Sequence, residues 1–357
     1  MSRTAAVRDQ VLGIVGDVNV QERAVPEDAF TLVQPLLDAC DVRFGHLEGP
    51  LSTPSTDPSA PDVPHKPRWR HSDPATVAAY LAAGFDAMGC ASNVTYPRRV
   101  ALDTRRTLEG AGIAPCGVGR NLAEALAPAL VTKDGVRYAF LSVTSVFWPS
   151  EHAADVDAPG VATVKAYTAY APGRRALEMP GAPPEIVTFP DADELQALVS
   201  VIAELRPRVD VLVVSCHWGV SSSPDPVEYQ RAIGRAAIDA GADIVVGHHP
   251  HVIQEVELHT GRPIFYSLGN FAFDWPKMRG RNLDGLLLRC SVRASRVVGI
   301  DIVPVRRDDR NTIAPLDPRS GAGKDILEHL AERSAANGTV IVDDDGTWSL
   351  RDLEVRS

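Results

Sequence analysis

The sequence predicts an α/β protein, and three observations within one stretch predict it. Between Val209 and Trp275, three short apolar runs each end in polar chemistry. Residues 211–216 run into His217-Trp218-Gly219, 244–246 into Gly247-His248-His249-Pro250-His251, and 264–268 into Gly269-Asn270-Phe271. β-Branched runs of this length, bounded by Gly and Pro, read as buried strands. Between the first two, residues 227–240 space Ile233, Ala236, Ala237 and Ala240 along one helical face. Strand, helix, strand in that order makes the first two strands parallel neighbours. Ligands of such units collect beyond the carboxyl ends of the strands.

The other elements follow along the chain. Residues 11–16 form a strand with Asp17 at its end, and Asp17 and Asn19, two apart, face one way. Residues 27–40 read as a helix kinked or split by Pro35. A second strand, 42–44, ends in Gly45-His46-Leu47-Glu48-Gly49-Pro50, where His46 and Glu48 share a face. A buried Glu needs a partner, and a metal ion is one. The Pro-, Ser-, Thr- and Asp-rich stretch 50–67 is irregular, and Lys66-Pro67-Arg68-Trp69-Arg70 closes it as a solvated loop, or else as a substrate-edge segment. Ser72 or Asp73 caps a helix reaching Ala83. A third strand, 85–90, leads into Ala91-Ser92-Asn93-Val94.

Pro97 opens a helix over 97–109; a short strand at 113–116 and a short helix at 121–127 follow. Residues 129–133 and 136–143 flank Asp134-Gly135, a hairpin signal. The stretch 147–190 has no periodicity and reads as a long irregular excursion, a lid or a surface segment, with Trp148, Tyr167, Tyr170, Arg174 and Arg175 available. A helix covers 191–205. Past Trp275, 286–292 and 297–305 read as antiparallel strands. From Arg306 the chain is charged and less regular, with a helix at 325–333 and a hairpin from 339–343 to 348–350. The division expected is one main domain over 1–305 and a small C-terminal extension over 306–357 packed on it.

Composition bounds the function. The chain has 357 residues, 45% hydrophobic and 23% charged, which suits a soluble globular protein with a substantial core. A net charge of −10 argues against a nucleic-acid partner. Five scattered cysteines, Cys40, Cys90, Cys116, Cys216 and Cys290, form no CxxC and read as free buried thiols in a reducing compartment. No run approaches the ~20 apolar residues of a membrane span, and the first residues lack a signal-type apolar core. The expectation is a cytoplasmic protein with no membrane partner; a homo-oligomer is compatible with it.

Six strand ends thus carry polar groups: Asp17 and Asn19, His46 and Glu48, Asn93, His217, His248 to His251, and Asn270. His249 and His251, two apart in an extended segment, would point the same way. This oxygen and nitrogen set suits one or two divalent ions, with Ca, Mn, Mg and Zn not distinguished.

From Val11 to Val305 the chain resembles the CapA-like proteins of the poly-γ-glutamate synthesis group, within the calcineurin-like metallophosphoesterase fold. Gly16-Asp17, Leu47-Glu48-Gly49-Pro50, the Asn93 region, His217-Trp218-Gly219, Gly241-Ala242-Asp243 with 244–251, and Tyr266 to Phe271 carry the resemblance. It implies a four-layer αββα sandwich with a metal site at the strand ends, its ligands among Asp17, Glu48, Asn93, His217, His249 and His251. The chain also departs from the family's pattern. Ala91-Ser92-Asn93-Val94 stands where the family has Ala-Asn-Asn-His, His46-Leu47-Glu48 where it has Asn-Leu-Glu, and Ser221 where an acid often follows His-Trp-Gly. In related phosphoesterases that histidine assists the leaving group, and Val94 transfers no proton.

The group includes epimerases of ribosomally made lasso peptides. Inverting a Cα needs a polarised carbonyl and two groups that remove and return a proton. The candidates are His46 and His248, oriented by Asp225, Asp274 or Asp86, with Asn19, Trp218, Asn270 and Arg98 for the substrate. The expected function is a metal-dependent, peptide-tailoring epimerase converting an L- to a D-residue. The alternative is a metal-dependent hydrolase of a phosphoester or of a peptide or γ-glutamyl amide. A non-catalytic binding protein is a third class.

Overall fold

The computed structural model describes residues 9–57, 59–351 and 353. Two sheets stack face to face, with helices on both outer faces. In the large sheet the strands Gln10–Asn19, Val42–Leu47, Ala87–Gly89 and Ala114–Cys116 run parallel. On the other side of Gln10–Asn19 the sheet continues antiparallel through Asp284–Arg293 and Arg296–Arg307. The small sheet has a parallel centre, Val136–Thr144, Val211–His217, Ile244–His248 and Arg262–Phe265, with Ala129–Lys133 and Val256–His259 as antiparallel edges.

Period-two alternation explains the layers. Tyr138 and Phe140, and Val211 and Val213, point into the space between the sheets, where they meet Leu12, Ile14 and Phe44. Their neighbours Ala139, Leu141, Leu212 and Val214 face the helices Ala192–Leu205 and Glu228–Ala240. Val15, Val18 and Leu47 likewise face Gln34–Asp38, Val77–Ala83 and Arg98–Gly110. Strands apolar on both faces must be covered on both, so the expected αββα sandwich is what forms. Phe44 and Phe140 stack across its centre, with ring centroids 4.7 Å apart.

Three readings need correction. Residues 264–268 are not one strand. Arg262–Phe265 belongs to the small sheet, Gly269 turns with φ 68°, and Asn270–Phe273 joins the large sheet beside Gln10–Asn19. Only glycine takes that φ freely, and a Cβ on Gly16 would run into the Gly269 carbonyl. The stretch 147–190 is not wholly irregular: Ala166–Ala171 and Glu185–Pro190 pair as an antiparallel arm that rests on the helix Glu228–Ala240, where Thr188 Oγ1 accepts the Tyr229 N–H. The strand Val256–His259 was not foreseen. It turns through Thr260 and Gly261, both at positive φ, into Arg262–Phe265.

Elsewhere the sequence signals hold. Pro35 lies in the first turn of Gln34–Asp38, after a separate helical turn at Pro26–Phe30. Asp73 and Asn121 cap as their types predict. All five cysteines are buried and free. After Arg306, Ile313–Pro315 and Thr347–Leu350 pair with Arg296–Arg307, and the helix Gly321–Ala335 packs Leu327 and Leu330 into the core between the sheets. Among the described residues no helix is long and apolar enough to cross a membrane.

Removing the ring at the centre of the sandwich should be costly. Phe140→Ala is expected to lower unfolding free energy by about 3–5 kcal/mol, while Leu130→Ala, at an exposed edge position, should change it by less than about 0.5 kcal/mol. Urea titration followed by circular dichroism measures both.

Candidate metal centre

Both sheets end their parallel strands at one seam. In the large sheet Asp17 lies in register with His46 and with Asn270. In the small sheet His217 lies in register with His248, at the last residue of each strand. Glu48 follows Val42–Leu47 by one residue, and His249 and His251 follow Ile244–His248. Asp17, His46, Glu48, His217 and His248 have no exposed surface; His249 is 8% and His251 3% exposed.

The expectation that His249 and His251 share a face of an extended segment is overturned. Both take positive φ, 90° and 58°, a conformation costing about 1–3 kcal/mol for such residues and found where surrounding structure enforces it. Here the Asp17 carboxylate accepts the His249 N–H at 3.1 Å and Pro250 O accepts the Ser222 N–H at 2.7 Å. The two rings still end 5.6 Å apart, brought together by the turn rather than by strand alternation.

The side chains gather around Asp17. His248 Nδ1 stands 2.9 Å from Asp17 Oδ1 and His251 Nδ1 3.3 Å from Oδ2. His251 Nδ1 also lies 3.0 Å from Asn270 Oδ1, and its Nε2 is 3.7 Å from Glu48. His46 stacks between His217 and His248, at 5.0 and 4.3 Å, and its Nε2 shares a hydrogen bond with His217 Nδ1 at 3.0 Å. Two groups could each hold an ion, Asp17 with His46 and His217, and Glu48 with His249 and His251; within each, the ligand atoms lie within 4.8 Å of one another.

Unpartnered buried atoms test that fit. Asp17 Oδ1, both Glu48 oxygens, His217 Nε2, both His248 ring nitrogens and His249 Nδ1 are buried with no hydrogen-bond partner. His248 Nδ1 is close to Asp17 Oδ1 yet not aligned to bond it. A natural core leaves few such atoms, and a cation satisfies carboxylate and imidazole lone pairs together. The electrostatics agree. Burial, then neighbouring imidazoles, holds His46 well below its ordinary pKa; burial acts likewise on His217 and His249, keeping all three neutral. Burial pushes Glu48 up to about 8, against the pull of His251. Burial would also raise Asp17, but His248 and His251 more than reverse it.

Other residues named from sequence fall in different places. Asn93 reaches the rim, 6% exposed, its Oδ1 3.5 Å from Lys66 Nζ. Asn19 donates to the Glu48 carbonyl, and Asn270 bridges His251 and the Asn282 carbonyl. Trp218 is core: its Nε1 donates to the Tyr266 carbonyl, behind the site. Arg98 turns away to Glu151 and the Ala153 carbonyl. The three aspartates expected to orient histidines do not. Asp225 is exposed and pairs with Arg333, Asp274 pairs with Arg23 and Asn311, and Asp86 accepts the Arg43 N–H. Each carboxylate follows its nearest donor in space, not in sequence, and the orienting carboxylate is Asp17. Lys66 was missed. Its segment is not a solvated loop: Trp69 is fully buried with Val63, Val94, Phe273 and Met278, and the lysine turns inward. The tryptophan three residues on was the available signal.

Residues 11–275 match the model of the family described as bacterial capsule synthesis protein PGA_cap. The chain is 29% identical to the PGA biosynthesis protein CapA of Bacillus subtilis, over 91% of this chain and 79% of that protein. It is 28% identical to the capsule biosynthesis protein CapA of Bacillus anthracis, over 96% and 76%. In structure it is similar to a phosphatase of Mycoplasma pneumoniae, with TM-score 0.50 and 12% identity over 85% of this chain and 95% of that one. That likeness concerns the fold alone, the calcineurin-like α/β sandwich.

Two outcomes are expected of the centre. Purified protein should retain a divalent metal by mass spectrometry, and Asp17→Ala or His217→Ala should abolish retention while leaving the circular dichroism spectrum intact. In metal-free protein, Glu48 keeps its proton to about pH 8 when folded but releases it near 4.5 when unfolded. The folded state then binds more protons, so stability falls as pH rises from about 6.5 to about 8, on the order of 1–2 kcal/mol. Glu48→Gln should flatten that slope in urea titrations.

Proposed function

Because the chain belongs to the bacterial capsule synthesis protein PGA_cap family, we propose that it is a metal-dependent enzyme acting on a peptide chain, and that it epimerises a peptide Cα from L to D in lasso-type peptide biosynthesis. Val94 carries this reading. It is fully buried with Trp69, Phe273 and Met278, and puts hydrocarbon where the family pattern has an imidazole. Phosphoester cleavage needs a proton for the departing oxygen. Exchange of a Cα proton has no leaving group, so valine there costs it nothing.

The remaining needs fall to residues at the seam. A divalent ion held by Asp17, His46 and His217 would supply charge to polarise the substrate carbonyl. His249 and His251, beside Glu48, are the imidazoles of the set with any exposed surface. Their ring nitrogens take and return the Cα proton, with Asp17 and Asn270 fixing the His251 ring. His248 stands behind them, its Nδ1 2.9 Å from the inner ligand Asp17. At the rim, the Trp148 ring lies tilted against His65 at 4.5 Å and edge-on to Tyr96, and Trp148, Tyr96 and Trp275 each pack on the Val94 cluster. Such an aromatic wall suits a peptide side chain.

The test is incubation of the protein with manganese and linear synthetic peptides in deuterated water, followed by mass spectrometry. The expected result is a gain of one deuterium at unchanged chain length, lost on chelation and reduced at least about 100-fold in His251→Ala. Shortened peptides, cleaved γ-glutamyl oligomers, or phosphate released from a model phosphoester without deuterium uptake would overturn epimerisation in favour of hydrolysis.

A further inference from the structure

Lys66 is a half-buried cation that the reading above does not use. Its ammonium lies 4.0 Å from Glu48 Oε1 and 3.5 Å from Asn93 Oδ1. The side chain is only 16% exposed. Two indoles flank it, with Nζ 5.0 Å from the Trp69 ring and 5.4 Å from that of Trp275, distances at which a ring face attracts a cation. Tight turns fix the placement: the Lys66 N–H donates to the Val63 carbonyl, and the Trp69 N–H to the Lys66 carbonyl. The ammonium is therefore part of the seam, beside the ligand group formed by Glu48, His249 and His251.

We propose that Lys66 holds the place of a second cation at Glu48, so that the centre takes one divalent ion and not the two for which its side chains offer ligands. Position decides this and charge adds to it: the Lys66 ammonium stands against Glu48, in the ligand group where a second ion would sit. Asp17 and Glu48 are the two carboxylates among the candidate ligands, and one divalent ion balances them. With the Lys66 ammonium present the seam already holds one excess positive charge. A second divalent ion would raise the excess to three in a largely buried site, where unbalanced charge is disfavoured. Lysine is suited to the task as a compact point charge on a flexible stem. The consequence for the proposed reaction, on which this inference rests, is that His249 and His251 keep lone pairs free for proton transfer.

Manganese stoichiometry tests the proposal without any substrate. Metal-free protein is titrated with manganese chloride by calorimetry, and the loaded protein is examined by electron paramagnetic resonance. Wild type should take one equivalent and show the spectrum of isolated ions. Lys66→Met, which keeps length and packing but removes the charge, should take two and show a coupled pair. Lys66→Arg should return to one. Lys66→Gln serves as a second neutral variant should Met disturb folding. Two ions in wild type overturn the role of Lys66 and, by taking His249 and His251 as ligands, the proposed proton transfer with it; one ion in both folded neutral variants overturns the role of Lys66 alone and leaves the epimerase reading standing. No ion in wild type overturns the metal centre itself, and both readings with it.

Discussion

Two carboxylates with no exposed surface, Asp17 and Glu48, set the terms for the rest of the site. A buried charge is tolerated only when it is paired, hydrogen-bonded or neutralised. The chain answers the two differently. Asp17 accepts the His249 backbone N–H and has the rings of His251 and His248 close by. It ionises readily and orients imidazoles. Glu48 has no hydrogen-bond partner for either oxygen, and its nearest cationic neighbours are His251, at 3.7 Å, and Lys66, at 4.0 Å. Its raised pKa records the shortfall. The seam is thus asymmetric, with one acid that keeps a hydrogen bond and its charge and one whose oxygens have no hydrogen bond at all.

The sandwich exists to deliver these groups to one seam. Parallel strands put all their carboxyl ends on the same edge, and two sheets packed face to face bring two such edges together. The crossing at Gly269 is the joint. It carries the chain from the small sheet to the large one, places Asn270 in register with Asp17, and is closed by the Asp17 N–H donating to the Gly269 carbonyl. The same joint explains why Gly16 precedes Asp17, since a side chain there would meet the crossing carbonyl. Behind it, Arg307 is fully buried and donates to the Asn282 carbonyl, which also receives Asn270. A scaffold interaction thus reaches His251 through Asn270.

The departures from the family pattern become coherent in three dimensions. Val94 joins an apolar cluster with Trp69 and Phe273, which walls the site and turns the Lys66 segment inward. His46, a second departure, stacks between two histidines and binds one of them. A change that reads in sequence as one acid/base group lost and another gained is in space a dry wall on one side and an inner imidazole on the other.

The sequence by itself determined the fold class and which polar residues stand at the strand ends. Apolar runs with period two, turn residues between them and polar residues at their ends are local signals, and strand chemistry is local. Asp17, His46, Glu48, His217 and His248 were legible because each ends a strand whose direction the pattern dictates. Tertiary structure alone decided the partners. Asp225, Asp274 and Asp86 went to arginines distant in sequence, and the pairing role fell to Asp17, because a carboxylate is held by whichever donor packing brings within about 3 Å. Packing also turned Lys66 inward and gave His249 and His251 their left-handed backbone. Those outcomes depend on which surfaces meet when two sheets close on one another, and no window of neighbouring residues contains that.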